Sequence, residues 1–423
     1  MFISCSSLWS NFNCVDADKT RVYLERSRSS PINLRLSMCN KPSSLDLFLQ
    51  ITSQAIGRLK SLSIKSTPGH LEAITAHLSH PTPLLERLEI DGGFQYLQQR
   101  NSVLTSTIFD GDLSSLRVLN LECVRTELPW RNMANLTSFR LCDISAGTSS
   151  IGRLLDFLES APQLRSIYLY AVTLVSDGEN GRLISLDHLK RMVIIECGPT
   201  SILLDHLVIP IGAKLETGPS STIEDHIPRS LNNLKNLSDF TTIHIRDNSW
   251  PCLRLSGPNG QVSMIAERTH AADLVFKSLA RFETSKSERL EINIGIPRPG
   301  NTFYRTLLPI ENLRTLILVQ CINLCVFMDV LNPNKGRSRK VVCPLLEGLT
   351  FGYHLDKMGF DSLIGMAAAR ASRGVKLGIV MVVKDEGEND LEEVLELRKH
   401  VSRVEYGPEI DPDDDESDDY DSG

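Results

Sequence analysis

One short pattern constrains this chain more than any other: Leu-x-x-Leu-x-Leu, met at Leu116/Leu119/Leu121 and again, 20 residues on, at Leu136/Phe139/Leu141. The fourth and sixth positions are two residues apart, so on a strand they point to one side and the residues between them to the other. The first position enters from the preceding turn and joins the apolar set. One such unit has no second layer against which to bury that set, but a stack of units does.

Further copies are Leu59/Leu62/Ile64, Leu85/Leu88/Ile90, Leu164/Ile167/Leu169 and Leu189/Met192/Ile194, and successive starts from Leu59 lie 26, 31, 20, 28 and 25 residues apart. Two more, Leu313/Leu316/Leu318 and Leu346/Leu349/Phe351, are 33 apart. Most of these periods fall in the range of ~20–29 residues for leucine-rich repeats. The expected fold is therefore α/β: a leucine-rich-repeat solenoid over 43–406, with a curved parallel sheet and outer helices. Helical periodicity at Gly69–His80 and Ser150–Ser160 supplies the crossovers that parallel strands need. Pro83, Pro162 and Pro344 each stand two residues before a first leucine, where they would end a returning helix. Cys197 and Cys321 hold the ninth position, where a thiol can bond the turn backbone.

Over 198–300 the pattern loosens. Thr222, with Asp225 near its capping position, predicts a helix reaching Leu237. Leu253–Leu255 and Val262–Ile265, joined through Asn259-Gly260, read as a hairpin. Asp356–Arg373 is a predicted helix closed by Gly374, Leu377–Val383 a doubly covered strand, and Val401/Val404/Tyr406 the last strand. Residues 1–42 do not fit the repeat. Residues 407–423 form an acidic tail expected to be disordered.

Composition limits the function classes. The tail holds nine acids after Pro408 and no Lys or Arg; removing these nine charges from a total of −7 leaves the rest of the chain at +2. No nucleic-acid partner is expected from that balance. Ten cysteines stand singly, with no CxxC pair, which suits a reducing compartment, cytoplasmic or nuclear. No run approaches the ~18 apolar residues of a spanning helix, so no membrane partner is expected. Without GxSxG, GxxxxGK, GxGxxG or HExxH, the chain is read as no enzyme, with no catalytic, cofactor or metal site.

The outward strand positions carry the functional expectation. Among them are Arg87, Glu89 and Asp91; Asn120 and Glu122; Arg140; Tyr168 and Tyr170; His244 and Arg246; and Arg289, Glu291 and Asn293. Stacked strands lie ~4.8 Å apart, so these residues form a strip. Tyr168 and Tyr170 beside Arg140 resemble interface anchors. At Val193/Ile195 and Ile317/Val319 the outward positions turn apolar and need cover from a loop or a partner. The expected partner site is thus Arg140, Tyr168, Tyr170, Val193, Ile195, His244 and Arg246, centred on Arg140 to Ile195. An ordinary solvated sheet is the alternative.

Cys5-Ser6-Ser7-Leu8-Trp9-Ser10-Asn11-Phe12, Tyr23-Leu24-Glu25-Arg26-Ser27, Ser30-Pro31-Ile32-Asn33-Leu34 and the stretches LERLEI, LRVLNL and LRSIYL make the chain resemble the leucine-rich-repeat F-box proteins of mushroom-forming fungi. In those proteins an F-box precedes a Leu-Trp segment like Leu8-Trp9. The helical F-box core, with its Leu-Pro start, is not found here, and Met1 falls near the end of that module. The resemblance implies the substrate-recognition part of an F-box ubiquitin ligase receptor, holding a protein substrate in its repeats. It implies the Skp adaptor as a partner only if an F-box exists upstream. The other expectation is a stand-alone leucine-rich-repeat interaction protein with no ubiquitin role.

Overall fold

A computed structural model describes residues 5–13, 17–37, 43–93, 103–104, 108–126, 132–144, 150–177, 181–198, 200–220, 222–237, 239–246, 252–266, 272–294, 301–321, 324–335, 340–383 and 392–410. The acidic tail beyond Ile410 and the centre of the basic Lys335–Lys340 loop lie outside them, as does the side chain of Cys321. The fold is α/β, with helices and mostly parallel strands. Two compact units divide the chain: Met1–Glu216 with Pro228–Leu234, and Thr217–Ile227 with Lys235–Gly423.

In chain order the first unit contains β1 (Asn11–Asn13), α1 (Ala17–Ser27), β2 (Ile32–Ser37), α2 (Ser43–Ala55), β3 (Leu59–Lys65), α3 (Pro68–His77), β4 (Arg87–Asp91), β5 (Val103–Leu104), β6 (Val118–Glu122), β7 (Arg125–Thr126), β8 (Ser138–Cys142), α4 (Ile151–Ser160), β9 (Ser166–Tyr170), β10 (Ile184–Ser185), β11 (Arg191–Ile195), α5 (Thr200–Leu204) and β12 (Leu207–Val208). β13 (Lys214–Ser220) begins in this unit. The main sheet runs β1-β2-β3-β4-β6-β8-β9-β11, all parallel. β5 pairs with β7 and β10 with β12 in two small parallel pairs.

Register explains why the sequence repeats. Leu34, Leu62, Leu88, Leu119, Phe139, Ile167 and Met192 stand opposite one another from strand to strand. None of them is more than 2% exposed. The row starts two strands before the first full copy at Leu59, because Leu34 of β2 faces Leu62 and Phe12 of β1 faces Leu34. α4 covers part of this row, capped by Ser150, which accepts from the Arg153 N–H, and Phe157 packs on Phe139 with ring centroids 4.3 Å apart.

Turns before the strands follow one rule that the pattern alone did not reveal. The N–H of each first leucine donates to the carbonyl three residues back: Leu116 to Leu113, Leu136 to Met133, Leu164 to Ala161 and Leu189 to Leu186. Those four acceptor residues are buried. Pro83 and Pro162 sit at the second position of such turns, where their fixed φ is already correct, and Pro162 also stands directly after Ala161, the C-cap of α4. Strands end by another rule. Cys123, Asp143, Ala171 and Glu196 hold equivalent positions with φ of +53°, +53°, +49° and +55°. This left-handed residue turns the chain out of the sheet, and the N–H of each of the first three bonds the next strand's carbonyl at 2.9 Å. Cys197 is buried and its Sγ donates to the Ile195 carbonyl at 3.2 Å.

The second unit contains β14 (Thr242–Arg246), β15 (Cys252–Gly257), β16 (Gly260–Ala266), α6 (Ala272–Leu279), β17 (Arg289–Ile294), α7 (Asn301–Leu307), β18 (Thr315–Cys321), α8 (Leu324–Leu331), β19 (Gly348–Phe351), α9 (Lys357–Ser372), β20 (Ile379–Val383), α10 (Glu392–Leu397) and β21 (Arg403–Gly407). Its parallel order is β14-β17-β18-β19-β20-β21, and β15 and β16 form an antiparallel hairpin that joins the sheet on β14. α9 begins at its cap Asp356, and Gly374, with φ +77°, ends the turn after it.

Three expectations need correction. No single helix spans 222–237; three one-turn segments stand there instead, Ile223–His226, Leu231–Asn233 and Lys235–Leu237. Thr222 and Asp225 do bond, with the Thr222 N–H donating to Asp225 Oδ2 at 3.0 Å, but Pro228 lacks an N–H and disfavours helix in the residue before it. Asn293 is 3% exposed and offers no outward surface; next to it the register with β18 skips a residue, from Ile292↔Leu318 to Asn293↔Gln320. Tyr406 is exposed and Val404 half-buried, on a strand for which only β20 is a partner among the described residues.

One buried base gives this unit a pH dependence. His226 is 1% exposed, its Nε2–H donates to the Ile265 carbonyl at 2.9 Å, and its Nδ1 has no partner among the described residues. Burial holds its pKa below the ordinary value, against smaller opposing effects of the Ile265 bond and the Asp225 charge. The unfolded chain then binds a proton near pH ~6.5 that the folded chain resists. Stability should be level above that pH and fall below it, by up to ~1.4 kcal/mol per pH unit. Urea midpoints of the parent and of His226→Asn across this window check it: the variant should lose part of the acid slope, and parallel curves would exclude His226 as a source.

Candidate functional site

Side chains that alternate with the core row make the outward face of the first unit. Along its middle run Arg35, Ser63, Glu89, Asn120, Arg140, Tyr168 and Val193, one per strand and in register. A trough of about 670 Å³ crosses β1 to β6, lined by Asn33, Arg35, Ser61, Ser63, Arg87 and Glu89 among others. A second of about 540 Å³ shares Arg35, Ser63 and Glu89 and continues to Asp91, Asn120, Glu122 and Arg140. A third of about 290 Å³ lies at the turn end, beside Pro31, Pro83 and Leu84, and shares Lys60, Glu86 and Arg117 with the first.

Local pairs order this face. Arg87 Nε donates to Glu89 Oε1 at 2.6 Å, and Asn120 Nδ2 reaches the same oxygen at 3.4 Å. Lys65 lies 2.8 Å from Asp91. Asp91, Glu122 and Cys123 bring ligand atoms within 4.8 Å of one another. Burial, then the Asp91 charge, pushes the Glu122 carboxyl up; burial and the nearby acids push the Cys123 thiol up to about 12. The thiol stays protonated, Lys65 pairs with Asp91, and the Glu122 carboxyl is pushed toward its neutral form at the strand ends.

The residues expected at a partner site belong to both units. Arg140 is exposed and lies over the Tyr168 ring, 4.4 Å from its centroid, while Tyr168 and Tyr170 are half-buried. The Tyr170 hydroxyl donates to Glu196 Oε1 at 3.5 Å, and the Glu196 charge raises its pKa. Ile195, opposite Tyr170, is half-buried. Val193 is 3% exposed, so the chain's own residues already cover it and it offers a partner almost no surface. In the second unit Ile317 and Val319 are likewise buried. There His244 Nδ1 lies 3.3 Å from Glu291, which also faces Arg246 at 3.9 Å and Arg289 at 3.5 Å. The His244 hydrogen bond holds the Glu291 carboxyl below its usual range despite burial. His244 and Arg246 therefore serve an ion cluster within their own unit.

Leu34-Arg35-Leu36 reads as a strand and Leu59/Leu62/Ile64 as a repeat, and both stand in the sheet, as β2 and β3. Sequence reasoning missed β1, and it did not count Arg35, Ser61 and Ser63, which line the troughs, among the outward positions. No protein-family model matches the sequence, and no curated protein matches it. No helix among the described residues is long and apolar enough to cross a membrane.

Proposed function

We propose that the chain is a leucine-rich-repeat solenoid that binds a protein partner on the outward sheet face of its first unit, and that it corresponds to the substrate-recognition part of an F-box ubiquitin ligase receptor. The observation that carries this is the in-register row from Arg35 to Tyr168, with Arg140 stacked on Tyr168 beside an open trough. Arg and Tyr are the side chains most often found to anchor interfaces, since each offers a large rigid area with a polar end. A stand-alone repeat protein is the second reading. It is favoured by β1 and β2, which spend residues 11–13 and 32–37 on the sheet itself.

Affinity capture followed by titration tests the proposal. Tyr168→Ala with Tyr170→Ala should weaken the captured partner's binding by ~2–4 kcal/mol while the circular-dichroism spectrum and melt stay close to the parent's. Unchanged affinity would move the site off this face. A partner whose cellular half-life does not depend on the chain would remove the ubiquitin role and leave the second reading.

A further inference from the structure

The second repeat position forms a column of its own in the first unit. It runs from Lys60 and Glu86 through Arg117 and Thr137 to Arg165, Lys190 and Lys214. Each N–H after the first donates to the preceding carbonyl at 2.8 Å, so these residues stand on successive strands. Lys60 and Glu86 pair at 3.6 Å. Arg117, Arg165, Lys190 and Lys214 are exposed, and among the described residues no acid pairs with them. The last three are on adjacent strands, ~4.8 Å apart, where like charges oppose folding.

The fold itself does not ask for this column. In the second unit the equivalent ladder reads Thr241, Glu288, Arg314, Glu347, and Arg314 pairs with Glu347 at 2.7 Å. There the charges alternate in sign, and the one cation is paired. In the first unit they add up.

We propose that the Arg117–Arg165–Lys190–Lys214 column is a docking ridge for an extended, Asp/Glu-rich segment of a partner protein. This rests on the reading that the first unit's sheet face binds a partner, and it names the chemistry of that partner. Four unpaired cations in a line complement a linear anion. An extended peptide presents same-side residues every ~6.8 Å, close enough to the strand spacing for long Lys and Arg side chains to follow it. The third-position neighbours Ser138 and Ser166 add hydroxyls. They provide no aromatic platform of the kind on which nucleic-acid bases stack.

Fluorescence anisotropy on the full chain tests this with a labelled peptide of alternating Asp and Ser, its Lys-for-Asp counterpart and an oligothymidylate. The Asp peptide should bind and the Lys peptide should not. Arg165→Gln, Lys190→Gln and Lys214→Gln together should weaken the Asp peptide at least ~10-fold. The triple variant should melt at or above the parent's temperature, because it loses only repulsion. Oligothymidylate bound as tightly as the Asp peptide would overturn the peptide assignment. An Asp peptide that fails to bind, or binds the triple variant equally well, would overturn the ridge. So would a triple variant that melts well below the parent, since the column would then serve the fold. If a captured partner is lost with Tyr168→Ala/Tyr170→Ala but binds the triple variant normally, the ridge fails while the sheet-face reading stands.

Discussion

Leu119→Ala should cost the protein ~2–5 kcal/mol of stability. Leu119 is fully buried in β6, between Leu88 of β4 and Phe139 of β8, themselves no more than 1% exposed. Truncation removes the transfer energy of the lost carbons and leaves a void that the flanking strands can close only in part. Both neighbours are held in place: the ladder fixes Leu88, and Phe157 packs on Phe139. The site should therefore collapse poorly, which places the cost toward the upper part of that range. Urea unfolding followed by circular dichroism measures the total. Hydrogen exchange should show the loss of protection concentrated in β4, β6 and β8. A variant that unfolds at the parent's urea midpoint would mean that Leu119 is not in the core row at all.

That row was legible because its cause is local. Alternation along a strand and equal register between parallel strands force the fourth and sixth positions inward wherever the pattern occurs, from Leu62/Ile64 to Met192/Ile194. What was not legible depended on partners distant in sequence. Asn293 holds an outward position by alternation, yet it is buried, and nothing near it in the sequence announces that. That Val193 needs cover was legible from its apolar side chain on the outward side; that the chain itself supplies the cover, and not a partner, was not. The misread helix at 222–237 is different, since Pro228 was in plain view and a good cap at Thr222 outweighed it. The basic column was missed for a geometric reason. Counting only third, fifth and seventh positions as outward ignores the second, which lies where the turn becomes the strand and is exposed at Arg117, Arg165 and Lys190.

Arg370 sets the second large expectation. It lies in α9 and is 0% exposed, with Nη1 donating to the Val342 carbonyl at 3.0 Å and Nη2 to the Cys343 carbonyl at 2.8 Å. These carbonyls open the turn into β19, where Leu346 N–H bonds back to Cys343 and Cys343 has φ +48°. Burial lowers the guanidinium's pKa, but arginine remains charged at any ordinary pH. Two opposing terms decide what substitution does. Removing the charge relieves a desolvation cost, while removing the fork leaves the buried Val342 carbonyl without its Arg370 partner, at ~1–3 kcal/mol, and leaves the Cys343 carbonyl with the Leu346 N–H alone. The carbonyls cannot move to water without opening the turn, so the second term should win. Arg370→Met, similar in length and uncharged, should destabilise the second unit by ~1–3 kcal/mol. Arg370→Lys should do at least as much harm, because it keeps the buried charge and replaces a planar fork with a point donor that serves the two diverging carbonyls poorly. Urea midpoints of the two variants, with hydrogen exchange at Leu345 to Leu349, separate the terms. If Arg370→Met proves more stable than the parent, desolvation dominates. If Arg370→Lys matches the parent, the fork is not what holds α9 to the turn.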